Sequence, residues 1–444
     1  MQDSSLTRRT FLAAAGGAAA VAARPAWGLM RSARTVRKGR VITGRKINIA
    51  SVGCGGQGGH DIGQFAGERV VALCDVDFAR AVGTFKRFPD ARRFRDFREM
   101  LTEMDEQIDA VQISTPDHMH FPVAMMAIER GKHVYLQKPI THTVVEARLL
   151  TEAARRHNVV TQMGNQGHSN EGTRLVKEWI EAGVLGDVRE VHLWTNRPVW
   201  PQNIALPEKG LPPPPTLDWN RWLGVAPLRP YHTAYMPFAW RGWWEWGCGA
   251  IGDMGCHTMD ACFWALNLGA PSRVRAEVDG GSAFSCPAGS AVTYEFPARG
   301  GLPPVTVTWS DGSRKPPRPA ALEAEREMSG SGQLYVGSKG VIMDTGDYCD
   351  SPRLIPERAM KSFTRPPKTL ERVKNGHYQN WLQAIRGEIE APVSNFDYAG
   401  PLTEMALLGN VAIRAGVPFR WDAKTLRCDR PEAQAFIDKS YRMF

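Results

Sequence analysis

The segment GCGAIGDMGCHTMD, residues 247 to 260, sets two acids and a histidine at spacings that can do chemistry. Asp253 and His257 lie four apart and Asp260 three further on, so a helix would carry all three on one face. An imidazole titrates near neutrality and suits the transfer of an alcohol proton, with Asp253 able to hold or polarise it. Without further company the pattern is equally that of a solvated acid-histidine pair at a helix start. Lys138 supplies the company. It follows the apolar run in YLQKPI, at the carboxyl end of a buried parallel strand, where the ligand crevice of such sheets lies. A carbon that gives up a hydride needs its hydroxyl proton removed and a cation beside the developing alkoxide. His257 and Lys138 supply those two functions, with Asp253 in support.

A hydride also needs an acceptor, and SVGCGGQGGH, residues 51 to 60, offers its cradle. A short apolar strand leads into Gly53-x-Gly55-x-x-Gly58, a helix-length stretch follows, and a second apolar strand ends at Asp75, seventeen positions after Gly58. Gly53 permits the tight turn, Gly55 lets a pyrophosphate approach the backbone, and Gly58 lets the helix pack closely, with phosphate charge at the helix N-terminus. Gly56 and Gln57 belong to the same turn. Asp75 would accept hydrogen bonds from the adenosine ribose and repel a 2′-phosphate, which points to NAD rather than NADP. Further along, Ser114, Thr115 and Pro116 close a third buried strand, with His118 and His120 just after them, and Gln137 precedes Lys138. All of these are expected near the nicotinamide.

The elements that must position these residues follow from pattern. Apolar runs at 109 to 116 and 133 to 139 read as strands, and 120 to 130 and 143 to 156 as helices between them. Strands alternating with helices argue for a doubly wound parallel sheet. From about Val188 the pattern changes to alternating runs, VREVHLWT, SRVRAEV, AVTYEF, PVTVTWS and GQLYVGSKGVIMDT, which suit an open, mainly antiparallel sheet. The fold class is therefore α/β: an N-terminal Rossmann sheet plus a C-terminal α+β domain. Expected boundaries are 46–165 for the first, 166–422 for the second with its late helices free to pack back on the first, and 423–444 for a tail.

Bulk properties agree. The chain has 444 residues, 43% hydrophobic and 23% charged, which suits two globular domains. The +9 net charge is scattered rather than gathered into a stripe interleaved with aromatics, so nucleic acid is not an expected partner. Eight cysteines form no CxxC pair and no zinc spacing, so no metal is expected, and Cys54 and Cys74 read as small core residues. Residues 1–30, with Arg8 and Arg9 before Phe11 and a weakly apolar Ala/Gly run, resemble a twin-arginine signal. Sites near Ala22 or Ala26 to Gly28 would permit cleavage, and the run is shorter than the roughly twenty apolar residues of a membrane span. A periplasmic or secreted location follows, with no stable membrane insertion after cleavage.

The order of glycine turn, KP strand end and Asp-x-x-x-His after a glycine-rich turn resembles the Gfo/Idh/MocA oxidoreductase family, as do TPDHMHFPVAMMAIERGKHV, GSKGVI and LTEMALLGNVAIRAG. The resemblance runs from about Lys46 to Asp422. It implies an NAD(P)-binding Rossmann domain with an open-faced second domain, and Lys138, Asp253 and His257 as catalytic residues. One departure stands out: the family usually reads Glu-Lys-Pro, and here Gln137 replaces the glutamate.

For the substrate, FAWRGWWEWGCG packs Trp240, Trp243, Trp244 and Trp246 upstream of the catalytic segment, and indole faces stack on the C–H faces of sugar rings. Asn165, Gln166 and His168, after a strand end, could bind hydroxyls. The expected activity is hydride transfer between a secondary hydroxyl of a sugar or glycoside, C3 among the candidates, and tightly bound NAD, in a homo-oligomer, dimer or tetramer. The alternatives are a glycosidase working by transient C3 oxidation, which needs a further base such as His168 or Tyr235, and a cofactor-loaded binding protein without catalysis.

Overall fold

Six short strands, buried except for the outer β3 and the start of β2, make the first sheet: β1 (Asn48–Val52), β2 (Arg69–Cys74), β3 (Arg92–Phe94), β4 (Ala110–Ile113), β5 (His133–Leu136) and β6 (Thr161–Met163). These belong to a computed structural model that describes residues 36–444, so the segment expected to direct export, residues 1–30, lies outside the described residues. The order is β3-β2-β1-β4-β5-β6 and every pairing is parallel. β4 and β5 are buried along their whole length, as strands covered by helices on both faces must be. Helices Gln57–Gln64, Phe78–Arg87, Asp117–Glu129 and Val144–His157 form the crossovers. The last starts in a reciprocal cap, Thr143 accepting from the Glu146 amide while Glu146 accepts from the Thr143 amide.

The second sheet has nine strands: β7 (Val188–Trp194), β8 (Arg273–Asp279), β9 (Gly289–Phe296), β10 (Val305–Ser310), β11 (Gly332–Gly337), β12 (Val341–Asp344), β13 (Arg353–Ile355), β14 (Phe419–Asp422) and β15 (Arg427–Cys428). Their order is β13-β12-β11-β7-β10-β9-β8-β14-β15, antiparallel except where β7 meets β10. β9 and β10 alternate buried and half-buried positions, the mark of a sheet with one covered face. The cover includes helix Phe396–Ala415, which packs on β8 and β9 and in turn carries helix Gly249–Thr258 and helix Val144–His157. Helix Gly376–Ile385 lies on the other sheet, where Trp381 and Tyr378 pack against Phe65 and Tyr135. The final residues run back over the first sheet's helices, with Tyr441 donating to Glu146 and Arg442 to the Ala226 carbonyl (2.9 Å). Residues 36 to 444 form one compact unit, and among them no helix is long and apolar enough to cross a membrane.

Candidate active site

The turn after β1 is built for close approach. Gly53 has φ +80°, and a Cβ there would lie 2.6 Å from the Ser114 carbonyl oxygen. A Cβ on Gly58 would lie 1.7 Å from the Gly53 oxygen, so only glycine lets this helix start so near the strand. Helix Gln57–Gln64 begins at Gly56 with no side chain capping its first N–H groups, and Gly53, Gly55, Gly56 and Gln57 line one wall of a cavity of about 910 Å³. Free amides at a helix N-terminus, on a backbone stripped of side chains, fit a dinucleotide pyrophosphate.

Asp75 lines the same cavity and also braces the turn. Its carboxylate accepts from the amides of Cys54 (2.7 Å), Gly55 (3.2 Å) and Asp77 (2.9 Å). Burial raises its pKa against the pull of those amides. Both carboxylate oxygens therefore already accept from the backbone, Oδ2 from Cys54 and Gly55 and Oδ1 from Asp77, so the side chain fixes the turn as well as lining the cavity.

Across the cavity three chain segments converge. Lys138, just past β5, donates from Nζ to the Asp253 carbonyl (2.8 Å) and to Asp253 Oδ1 (3.0 Å). Arg241 donates from Nε to the same Oδ1 at 3.0 Å. Burial opposes ionisation of Asp253, but the two cations outweigh it and hold the carboxyl well below its usual range. His257 lines the cavity one helical turn on, and its Nδ1 is buried with no partner among the described residues. Burial, with the Lys138 charge beside it, pushes the imidazole well below its ordinary pKa, so it is neutral at neutral pH.

Two expectations are corrected here. Asp253 does not hold the imidazole; it pairs with Lys138 and Arg241 instead, because two cations attract the carboxylate more strongly than a neutral imidazole does. Nor does Asp260 share a helix with Asp253 and His257. The helix stops at Thr258, and Asp260 opens the next one, Asp260–Ala265, where it binds His168 (2.9 Å) and Tyr398.

Of the other residues singled out from sequence, Ser114, Thr115, Pro116, His120, Gln137, Gln166 and Trp240 line the cavity. His120 bridges the Pro139 and Thr115 carbonyls (2.7 and 2.9 Å), and burial holds it down to about 4. Asn165, His168, Trp243 and Trp244 do not line it. Asn165 accepts from Ser394 (2.6 Å), and His168 is turned onto Asp260. Trp243 packs in an aromatic cluster with Tyr235 and Trp246, where hydrophobic burial outweighs stacking on a ligand, and Trp244 lies beside Arg414. Tyr235 and His118 are likewise outside, His118 being held by the Trp222 and Leu223 carbonyls.

Several residues at the site carry only a faint sequence signal. Asp61, fully buried, receives four hydrogen bonds, each 2.8 Å, from Gln57, Ser114, Gln137 and Tyr378. Its place one turn after Gln57, beside the glycine turn, was the available clue. The network explains residue 137: an amide donates to Asp61, whereas a glutamate would set two carboxylates against each other. Tyr348, on the loop between β12 and β13, packs edge-on to His257 at 4.7 Å between ring centroids and lines the cavity. Asp117, also lining it, accepts from the Cys248 amide (3.0 Å), and burial pushes it up to about 6. Among the described residues no cluster could hold a metal ion, and the eight cysteines are unpaired.

A parallel sheet with its glycine turn, a lysine and a neutral histidine around one crevice define a dinucleotide-dependent oxidoreductase site. Residues 47–165 match the Gfo/Idh/MocA model described as oxidoreductase family, NAD-binding Rossmann fold, and residues 171–296 match that family's C-terminal alpha/beta domain. The chain belongs to the Gfo/Idh/MocA oxidoreductase family. It is 25% identical over 192 residues to the levoglucosan dehydrogenase of Pseudarthrobacter phenanthrenivorans (43% of this chain, 40% of that one). It is 26% identical over 207 residues to the D-glucoside 3-dehydrogenase of Escherichia coli (47% and 49%). The chain thus spans less than half the length of these curated relatives. The same fold occurs in the WlbA dehydrogenase of Bordetella pertussis, solved with NADH and UDP-GlcNAcA (TM-score 0.59, 20% identity, 85% of this chain and 99% of that one). It occurs also in an inositol dehydrogenase homologue of Azotobacter vinelandii, solved with NADH and myo-inositol (TM-score 0.58, 16% identity, 87% and 100%).

Proposed function

We propose that this protein is an exported, NAD-dependent oxidoreductase that moves a hydride between a secondary hydroxyl of a sugar or glycoside, C3 being the leading candidate, and tightly bound NAD. The observation that carries the reading is the meeting of Lys138 and His257, far apart in sequence, on one cavity whose other wall is the glycine turn. The relatives named as levoglucosan and D-glucoside 3-dehydrogenases support the choice of substrate class.

Gly53, Gly55, Gly56 and Gln57 would hold the pyrophosphate and Asp75 the ribose. NAD, when bound there, supplies the hydride acceptor. The protein's own groups do the rest. The neutral His257 imidazole takes the hydroxyl proton, which a protonated histidine could not do. Lys138 spends two of its three N–H donors on Asp253 and keeps the third for the substrate oxygen as negative charge develops on it. Asp253, held ionised, fixes the direction of that ammonium. Trp240 offers an apolar face to the sugar ring.

The twin-arginine segment supports export, and outside the cytoplasm free NAD is scarce, so the cofactor would travel bound in the folded protein and be recycled in place. Replacing Arg8 and Arg9 with lysine should leave the protein in the cytoplasm on fractionation. Mass spectrometry of the small molecules released from purified protein should find NAD in near-stoichiometric amount, and incubation with a glycoside panel should yield a keto-glycoside. Protein free of nicotinamide, with only millimolar affinity for added NAD, would count against the reading. Aglycone release without a keto product would favour the redox-neutral glycosidase. Sedimentation tests the homo-oligomer that the same reading carries.

A further inference from the structure

Two arginines at the catalytic end of the cavity keep donors to spare. The Arg241 guanidinium lies against the rings of Trp240 (4.3 Å), Phe238 (4.5 Å) and Trp200 (5.9 Å), and its Nε is tied to Asp253. Neither of its Nη atoms has a partner among the described residues. Arg197 reaches the same cavity, hydrogen-bonded to the Asn196 side chain and without a carboxylate partner among the described residues. Of the carboxylates lining the cavity here, Asp253 is engaged by Lys138 and Arg241, Asp350 by Asn170, and Asp117 by the Cys248 amide, while Asp347, beside Tyr348 but not lining the cavity, has one buried oxygen without a partner among the described residues.

A guanidinium pinned at Nε and flanked by aromatic rings has little conformational freedom left to lose, so its outer edge is preorganised for a ligand. The ligand such an edge fits best is planar, anionic and able to accept two parallel hydrogen bonds. We infer that the substrate is an acidic sugar, a uronate or its glycoside, whose carboxylate lies on the Nη edge of Arg241 with Arg197 adding charge, while its carbinol meets Lys138 and His257. This rests on the proposed function and narrows it.

The test is binding rather than turnover, so that it stands apart from the activity itself. NADH-loaded protein is titrated calorimetrically with methyl β-D-glucuronide and methyl β-D-glucoside, and with the corresponding galacto pair. One charge-assisted bidentate contact should favour the uronide of at least one pair by about tenfold or more. Arg197→Gln and Arg241→Lys should each remove most of that preference, the second although its charge is kept. Equal or tighter binding of the neutral members, no binding of any member, or a uronide preference that both variants retain overturns the inference. Failure of the dehydrogenase reading would look different: uronides bound with the stated preference, yet no keto product from any sugar.

Discussion

Asp253 serves two cations at once while His257 stands apart from them, and replacing either residue has a distinct consequence. His257→Gln keeps the cavity and the glycine turn, so bound NAD should be unchanged while kcat falls about 10²- to 10⁴-fold, the usual weight of one general base. Asp253→Asn leaves Lys138 and Arg241 buried against a neutral amide and should destabilise the fold by about 3 kcal/mol, read as a lower Tm. At residue 137 the expectation concerns charge. Gln137→Glu places a second carboxylate on Asp61 and should lower Tm, and adding Asp61→Asn should restore it; a Gln137→Glu protein as stable as wild type would contradict the hydrogen-bond assignment. Lys138 and His257 were legible because each sits at a punctuated place, a strand end and a glycine-rich helix. Their partners were not. Helical spacing puts Asp253 near His257, but only the fold brings in Lys138 and Arg241, and the nearer opposite charge then wins the carboxylate.

Among the elements, the loop between β12 and β13 carries Tyr348 to His257, and it is seated by two glycines of a distant segment. A Cβ on Gly172 would lie 1.9 Å from the Cys349 oxygen, and one on Gly167 would lie 3.1 Å from that of Tyr348. Gly172→Ala must therefore move the loop, and a shift of about an ångström at the substrate wall should raise KM by about tenfold, with bound NAD unchanged. Unaltered KM would show that the loop does not touch substrate. The alternating strands and the parallel sheet were readable from periodicity, since burial on one face or two writes itself into sequence. The break at Met259 was not, because no proline or glycine marks it. Late helices were expected to be free to pack back on the first domain, but the contacts by which helix Gly376–Ile385 does so were not legible, since they depend on Tyr135, Tyr378 and Trp381 finding Phe65 across long chain separations.

The molecule as a whole buries many neutral imidazoles, and its stability should register them. His118 is held at about 3, His120 and His377 at about 4, and His142 and His257 well below the ordinary value, in each case mainly by burial. In the unfolded chain these five bind protons once the pH falls below about 6.5, while the folded protein does not, so stability is present above that value and is lost as pH falls. Asp117 and Asp311, raised by burial to about 6, act in the opposite sense, since the folded state keeps a proton the unfolded chain has released. Near pH 6 the histidines prevail, and unfolding should take up about three protons net. Tm should drop between pH 7 and pH 6; a flat or rising Tm would mean these rings are not buried neutral.

The proposed function requires Lys138 and His257 to act on the same carbinol beside NAD. Single-turnover reduction of the bound cofactor by a glycoside substrate, in wild type, Lys138→Met, His257→Gln and the double variant, tests it most directly. Each single change should slow reduction about a hundredfold or more, and the double variant should be little slower than the worse single, because the two groups act as a unit. Reduction at the wild-type rate in either single variant, or losses that multiply in full, would contradict it.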